Sequence, residues 1–300
     1  MIITCDNCAT KYQLDDSLIK KSLFKVRCSH CKATFMVEKN PNDDFIELVE
    51  THQEKSKQII AICNQKGGVA KTSTCLNLGA ALAAQNKRVL LIDFDVQSNL
   101  SLLFGCKNER SFYEVHESDI KPTEIIKKVS ENLWLLPANS KLSLLARHYL
   151  RQKNNGYFLR EHIEPLKQYF DYILIDTPPS VKFFTPNALL AADFVIVPTQ
   201  CEFLSMNGVL QTESIIQALA KSHPLDYRVL VTLYDQRNMA SKVIFSKLKN
   251  KYQNTLFNTA IEFDPKVQES QIINQPVTHY DANATASKQY TQLAKELLSI

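Results

Sequence analysis

Residues 59–85, IIAICNQKGGVAKTSTCLNLGAALAAQ, are the part of this chain most informative about its fold. It starts with a short apolar run at 59–63, passes through a polar turn with two glycines, and continues as a segment rich in alanine and leucine. That last segment favours a helix over 72–85. Similar apolar runs alternate with helical stretches toward the C-terminus, which is typical of βαβ units around a mostly parallel sheet.

Further elements are predicted along the rest of the chain. Strands are expected at 88–93, 132–137, 172–176, 194–198, 228–234 and 255–261. Helices are expected at 140–151, 157–168, 185–192, 207–221, 240–252 and 286–299. Several of the strands are continuous apolar runs, as expected of strands that are covered on both faces. The sequence therefore predicts an α/β fold over residues 58–300.

The turn after the first strand has the chemistry of a phosphate-binding loop. Gly67 and Gly68 allow backbone N–H groups to turn inward without a Cβ clash, and the following helix N-terminus adds partial positive charge. Lys71 can place its ammonium on the β- and γ-phosphates of a nucleotide, and a hydroxyl beside it can coordinate Mg²⁺.

The strict pattern GxxxxGK[ST] is not met. Gln65 and Ala70 occupy the two positions where that pattern has glycine. An ordinary strand–turn–helix without a ligand is therefore the alternative interpretation of these residues alone. Alanine at position 70 is compatible with a phosphate loop if its φ is negative.

The motif KGGVAKTS, residues 66–73, resembles the deviant Walker A motif of the ParA/MinD family of P-loop ATPases, and of its ParA/Soj-like branch in particular. The resemblance continues through RVLLIDFDVQSNLS (88–101), DYILIDTPPS (171–180), NALLAADFVIVPTQCEF (187–203) and PVTHYDANATASKQYTQLAKELL (276–298). It implies a mostly parallel P-loop NTPase sheet flanked by helices. It also implies that the protein hydrolyses ATP to ADP and phosphate in the presence of Mg²⁺.

The resemblance also implies a role for each matching residue. The ATP-binding loop would comprise Lys66, Gly67, Gly68, Val69, Ala70, Lys71, Thr72 and Ser73. Thr72 and Asp176 would hold Mg²⁺, and Asp95 would orient the attacking water. Lys66 resembles the signature lysine that reaches the phosphates of the partner subunit in an ATP-bound dimer. Asp93 is expected to support the loop that carries Asp95.

Two CxxC pairs lie near the N-terminus, Cys5 with Cys8 and Cys28 with Cys31. Each CxxC presents two thiolates to one side, and two such pairs complete the tetrahedron that Zn²⁺ prefers. Residues 1–39 are too few to build much apolar core, so a bound metal is a plausible source of stability. We predict a Cys₄ zinc ribbon over 1–39, with His30 as a solvated neighbour. Unconnected thiols or a redox CxxC are the alternatives.

The remaining features of the sequence concern a linker, the cellular compartment and the other cysteines. Residues 40–57 are polar and rich in acidic side chains, which indicates a linker. No apolar run is long enough to span a bilayer, and the N-terminus lacks the features of a signal peptide. We therefore expect a cytoplasmic protein, including the nucleoid if it binds DNA. The remaining cysteines, Cys63, Cys75, Cys106 and Cys201, are interpreted as core residues.

Members of this family differ in the surface on which they work. ParA-like members bind DNA nonspecifically as ATP dimers, and MinD-like members bind membranes through a basic amphipathic C-terminal helix. The apolar stripe of the last helix here (Tyr290, Leu293, Leu297 and Leu298) lacks a basic face, so we predict a core-packed helix. Arg237 and Lys266 match DNA-contacting positions of the family, and helix 240–252 adds lysines at 242, 247, 249 and 251.

The net charge of +4 permits an anionic partner without demanding one. The first hypothesis is a homodimerising ATPase that positions or partitions a cargo on nonspecific DNA, with a ParB-like or other activating protein. The alternative is a MinD- or FlhG-like switch for flagella, chemotaxis clusters or division, acting at a membrane or protein surface. An iron–sulfur carrier ranks last, because the four scattered cysteines form no pair with the required spacing.

Overall fold

The computed structural model describes residues 2–5, 7–8, 10–13, 23–38, 58–106, 110–118, 120–149, 156–180, 182–202, 205–219 and 223–300. The chain forms two compact units, Met1–Val49 and Glu50–Ile300. The proposed linker at 40–57 lies outside the described residues, so the boundaries 1–39, 40–57 and 58–300 stay predictions.

The smaller unit contains two antiparallel hairpins. Strand β1 (Ile2–Thr4) pairs with β2 (Lys11–Gln13), and β3 (Leu23–Arg27) pairs with β4 (Thr34–Glu38). One CxxC pair lies in the connection of each hairpin. An isolated two-stranded hairpin is only marginally stable in water, so this unit depends on what joins the two hairpins.

The larger unit is built on a seven-stranded sheet. Its strands are β5 (Gln58–Ile62), β6 (Val89–Asp93), β7 (Lys127–Ser130), β8 (Leu133–Leu136), β9 (Tyr172–Asp176), β10 (Phe194–Gln200) and β11 (Asp226–Thr232). The strand order is β11-β10-β5-β9-β6-β8-β7. All neighbours are parallel except β7 and β8. The predicted mostly parallel α/β sheet is therefore confirmed.

Helices connect the strands. They are α1 (Lys71–Ala83), α2 (Asn99–Leu102), α3 (Phe112–Glu117), α4 (Leu142–Tyr149), α5 (Phe158–Ile163), α6 (Phe184–Ala191), α7 (Ser205–Leu219), α8 (Met239–Lys251), α9 (Pro265–Ile272), α10 (Val277–Tyr280) and α11 (Thr285–Leu298). Residues 59–62 of β5 are fully buried, which requires cover on both faces of the sheet. The four scattered cysteines are all buried, as expected of core residues.

Two predicted elements are wrong in detail. The segment 255–261 forms only an isolated bridge, between Leu256 and Val229 of β11. Glu296 accepts the backbone N–H groups of Asn258 and Thr259, so these groups do not extend the pairing with β11. The single helix expected over 157–168 ends at Ile163 and continues as a 3₁₀ turn, since Pro165 has no N–H to donate. Strand β7 was not predicted.

The C-terminal helix packs into the core, which confirms the prediction for it. The side chains of Tyr290, Leu293 and Leu297 on α11 are buried against a cluster that includes α1. Within the described residues, no helix is both long and apolar enough to cross a bilayer.

Candidate functional site

The sheet brings the predicted site residues to one edge. In the register of the central strands, Asp176 at the end of β9 lies opposite both Ile62 of β5 and Asp93 of β6. The loop 63–70 follows β5 directly, so it lies at this same carboxyl edge. Ligands of open α/β sheets bind at that edge, where the strand order changes direction. Strand pairing therefore brings Asp176 together with two segments that lie more than eighty residues earlier in the sequence.

Three carbonyl groups of the phosphate-binding loop are held by side chains. The carbonyl of Lys66 accepts from Lys71 Nζ (2.9 Å), that of Gly68 from Gln200 Nε2 (2.8 Å), and that of Val69 from Thr232 Oγ1 (3.1 Å). Gln200 and Thr232 are the last residues of β10 and β11. Fixing the carbonyls fixes the orientation of the peptide planes, so the loop is preformed rather than dependent on a ligand for its shape.

Ala70 departs from the expectation for this loop. Its backbone has φ 60° and ψ 34°, in the left-handed region, and it caps the N-terminus of α1. The condition of a negative φ is therefore not met. An L-residue in this region costs about 1 kcal/mol or more relative to glycine, because Cβ approaches the following carbonyl oxygen. The loop keeps its shape with a strained alanine at the position where the strict pattern has glycine.

We expect Ala70→Gly to stabilise the protein. Relief of the left-handed strain exceeds the extra freedom that glycine gives to the unfolded chain, for a net gain of about 0.5 to 1 kcal/mol. Denaturant unfolding would measure it. Ala81→Gly is the control and should destabilise by about 1 kcal/mol or more, since this buried residue lies in the interior of the regular helix α1. A loss of stability in Ala70→Gly would contradict the strain seen at this residue.

The side chain of Lys71 is almost fully buried beneath the loop, with 7% of the residue exposed. Burial lowers the pKa of its ammonium group, and the nearby carboxylate of Asp176 is the largest opposing influence. A lysine in this position is a fixed positive charge with little water around it. It would interact strongly with an anionic ligand because the local dielectric screening is weak.

Asp176 is the most telling residue for a metal. It is completely buried, and neither of its carboxylate oxygens has a hydrogen-bond partner among the described residues. Burial raises its pKa well above the usual value, as does the neighbouring Asp93, while the hydroxyl of Thr72 and the ammonium of Lys71 oppose the rise. A buried, unpaired carboxylate beside a hydroxyl fits a hard divalent cation with oxygen ligands.

Asp93 and Asp95 lie in the loop that follows β6. Asp93 accepts the backbone N–H of Asp95 at 3.2 Å through one oxygen and both the N–H and the hydroxyl of Ser101 through the other, at 2.8 and 2.7 Å. Burial raises the pKa of Asp93 to about 6. Asp95 accepts from the N–H of Gln97 at 2.9 Å and lines the cleft. Asp93 thus fixes the loop, and Asp95 presents its carboxylate to the cleft.

The side chain of Lys66 turns toward its own subunit. Its ammonium donates to Glu202 Oε2 at 2.8 Å and to Ser205 Oγ at 2.6 Å. Both partners were missed in the sequence, although Glu202 lies only two residues beyond the end of the apolar strand β10 and therefore near the same edge of the sheet.

A cleft of 490 Å³ opens over the loop. Of the predicted residues, it is lined by Gly67, Gly68, Ala70, Lys71, Thr72, Ser73 and Asp95. The opposite wall comes from the segment 261–271, including Phe263 and Gln271, and was not predicted. Gln271 Nε2 donates a 3.0 Å hydrogen bond to Ser73 Oγ, which connects this wall to the phosphate-binding loop. The volume and mixed polarity are those of a small-molecule site.

The two residues proposed for DNA contact both carry ion pairs. Arg237 is 86% exposed and pairs with Asp235 at 3.0 Å, while Lys266 pairs with Glu269 at 2.8 Å. Helix α8, which follows Arg237, has only Leu248 fully buried, and its lysines at 242, 247, 249 and 251 are exposed. Exposed ion pairs of this type are weak, so both cations can exchange their partner for a phosphate.

The four cysteines of the small unit converge. Their sulfur atoms all lie within 4.8 Å of one another, and the pairs Cys5–Cys31 and Cys8–Cys28 are 3.6 Å apart. A tetrahedron with Zn–S bonds of about 2.3 Å has sulfur–sulfur edges of about 3.8 Å, so the sulfurs are arranged to hold zinc. His30 is exposed and stands outside this four-thiol group. The Cys₄ ligand set bridges the two hairpins.

Two stretches of the chain match known protein families. A family described as an AAA domain matches residues 57–229, and a zinc-ribbon domain matches residues 1–36. The sporulation initiation inhibitor protein Soj of Bacillus subtilis is 34% identical over 80% of this chain and 98% of its own length. The chromosome partitioning protein ParA of Caulobacter vibrioides is 35% identical, over 81% and 94%.

A solved structure of similar fold carries a nucleotide. The structure described as cobyrinic acid a,c-diamide synthase of Mycobacterium smegmatis, with bound ATP analogue and magnesium, has a TM-score of 0.70 and 32% identity. The match covers 81% of this chain and 95% of that one.

Proposed function

The chain belongs to the ParA family of P-loop ATPases and carries an N-terminal zinc ribbon, and on that premise we propose that it is an ATP-dependent dimerising ATPase that positions or partitions a cargo on nonspecific DNA. The observation that carries the proposal is the cleft at the carboxyl edge of the sheet, where a buried lysine, a strained phosphate-binding loop and an unpaired buried aspartate converge. Its setting would be the cytoplasm, on the DNA of the nucleoid.

Each residue of the cleft then has a definite task. Residues 66–73 would wrap the phosphates, and Lys71 would neutralise the β- and γ-phosphate oxygens. Thr72 and Asp176 would hold Mg²⁺, which when bound supplies positive charge to the phosphate oxygens. The M. smegmatis structure with an ATP analogue and magnesium supports binding of these two ligands by a chain of this fold.

Hydrolysis would depend on Asp95. Its carboxylate lines the cleft and its backbone is held by Asp93, so it can accept a hydrogen bond from a water molecule and keep that water in line with the γ-phosphate. Phosphoryl transfer of this kind is mainly positioning and charge neutralisation. Asp95 therefore orients the water, and Lys71 stabilises the charge that develops.

Lys66 would complete the site of a second copy. In this proposal its ammonium leaves its own subunit and binds the phosphates of the partner, so that ATP becomes the bridge of a homodimer. Dimerisation would double any DNA-binding surface, which here comprises Arg237, Lys266 and the lysines of α8. A ParB-like or other activating protein would then stimulate hydrolysis and return the chain to the monomer.

A DNA titration tests this proposal. With a nonhydrolysable ATP analogue, we expect the protein to bind duplex DNA of arbitrary sequence in fluorescence anisotropy, and with ADP we expect no binding. The logarithm of the affinity should fall with that of salt by about 0.9 per phosphate contact, because counterions are released. Arg237→Glu/Lys266→Glu should weaken binding more than about tenfold without loss of nucleotide affinity.

The control is a charge-matched pair at the opposite edge of the sheet, Lys121→Glu/Lys128→Glu, which should bind DNA as the wild type does. A liposome sedimentation assay is run beside it. Binding to anionic liposomes without binding to DNA would overturn the partition-type cycle in favour of a MinD- or FlhG-like switch. If neither surface is bound, the DNA assignment is wrong.

A further inference from the structure

We propose that Glu202 and Ser205 are positioning residues for Lys66: they hold its ammonium on its own subunit until a nucleotide-bound partner takes it. This inference rests on the proposed function, since it concerns how readily the dimer forms. It assigns a role to the connection between β10 and α7.

The contacts of Lys66 are short and converge on one side. Its Nζ atom lies 2.8 Å from Glu202 Oε2 and 2.6 Å from Ser205 Oγ. A charge-assisted hydrogen bond to a carboxylate is stronger than one between neutral groups, so this geometry defines the resting position of the side chain. The ammonium in that position is neutralised by its own subunit and is not directed at a ligand.

The backbone of Lys66 is fixed at the same time. Its N–H donates to Asn64 Oδ1 at 2.8 Å, and the buried amide of Asn64 donates in turn to the carbonyl of Pro198 on β10 at 2.7 Å. Gly208 on α7 allows this close approach, because a Cβ there would lie 2.4 Å from Asn64 Oδ1 and 3.0 Å from Lys66 Cβ. The base of the side chain is therefore rigid, and only its charged end is free to change partner.

The exposure of the Lys66–Glu202 pair decides whether the lysine can be released. The side chains of Lys66 and Glu202 are 29% and 61% exposed. A fully buried ion pair would trap the lysine, since breaking it would leave an unpaired buried charge. An exposed pair is weak, and Glu202 can be hydrated once the lysine leaves. The phosphates of a bound nucleotide carry more negative charge than one carboxylate and can therefore displace it.

This exchange would set a threshold for dimerisation. Each protomer must release one Lys66 before the dimer closes, and an exposed pair resists release by about two- to fivefold in equilibrium constant. Two protomers together would weaken the dimer by roughly 4- to 25-fold. The contact would oppose dimers at low nucleotide occupancy and allow them when both sites are filled.

The test measures the dimer dissociation constant by analytical ultracentrifugation of the full chain with a saturating nonhydrolysable ATP analogue and Mg²⁺. Glu202→Gln keeps the shape and removes the charge, and it should tighten the dimer by roughly 4- to 25-fold. Ser205→Ala should tighten it by a smaller factor. The melting temperature of the nucleotide-free variant should not rise, because a structural contact has been lost, so tighter dimers with the analogue cannot come from a more stable monomer.

Glu164→Gln is the matched control. It removes the charge of Glu164 (46% exposed) from its pair with Lys167 (22% exposed), and it should leave the dimer dissociation constant unchanged. A dimer that is unchanged or weaker in Glu202→Gln would overturn the positioning role alone. If the wild type and Glu202→Gln both stay monomeric with the analogue, the proposed dimer cycle fails and this role fails with it. A dimer in Glu202→Gln alone would support the role.

Discussion

Replacing Lys71 by alanine is expected to weaken ATP binding by about 100- to 1,000-fold. The change removes a buried ammonium that would pair with the β- and γ-phosphates, and truncating one partner of a buried charge pair costs about 3 to 4 kcal/mol. Only 7% of Lys71 is exposed, so water cannot readily take the place of the lost ammonium group. Isothermal titration calorimetry with ATP and Mg²⁺ would measure the loss.

Asp95→Ala is the matched variant for this experiment. It lies in the same cleft, but its proposed task is to orient water, so ATP affinity should be nearly retained while turnover falls by about 100-fold or more. Both variants should keep cooperative unfolding, which excludes a general collapse of the site. Wild-type affinity in Lys71→Ala would show that the nucleotide is held elsewhere, and normal turnover in Asp95→Ala would remove its catalytic role.

The double substitution Cys5→Ser/Cys8→Ser is expected to abolish zinc binding, from about one ion per chain to none. Two of four thiolate ligands disappear, and the remaining pair cannot close a tetrahedron. Structural zinc supplies about 10 kcal/mol or more of folding free energy in small domains, so residues 1–39 should unfold. Metal analysis of the purified chain and limited proteolysis would record the two effects.

The ATPase unit should not respond to this change. ATP affinity of the double variant should equal that of the wild type, because the described residues that line the nucleotide cleft all fall between 67 and 290. Cys106→Ser is the control: this buried thiol donates to the Phe104 carbonyl, a contact that serine can keep, and zinc content should be unaffected. Metal-free protein in both the wild type and Cys106→Ser would refute a resident zinc.

Sequence reasoning was most effective where the chemistry lies in adjacent residues. The phosphate-binding loop, the two CxxC pairs and the apolar strands are local patterns, and each follows from what a few neighbouring side chains can do. Asp176 was named through the resemblance of residues 171–180 to the ParA/MinD family, in agreement with its place at the end of an apolar strand. The prediction of a strand at 255–261 was wrong because a distant residue, Glu296, accepts two of the backbone N–H groups of this segment.

The fold class and the four zinc ligands follow from apolar periodicity and ligand spacing, which are properties of the linear chain, and the nucleotide loop was predicted from its resemblance to the ParA/MinD family. The left-handed φ of Ala70, the unpaired state of Asp176, and the contact of Lys66 with Glu202 across 136 positions follow from the tertiary structure. These features depend on which segments lie together at the carboxyl edge of the sheet. Burial, charge pairing and backbone strain arise from contacts between segments that are distant in sequence, so a local sequence pattern cannot predict them.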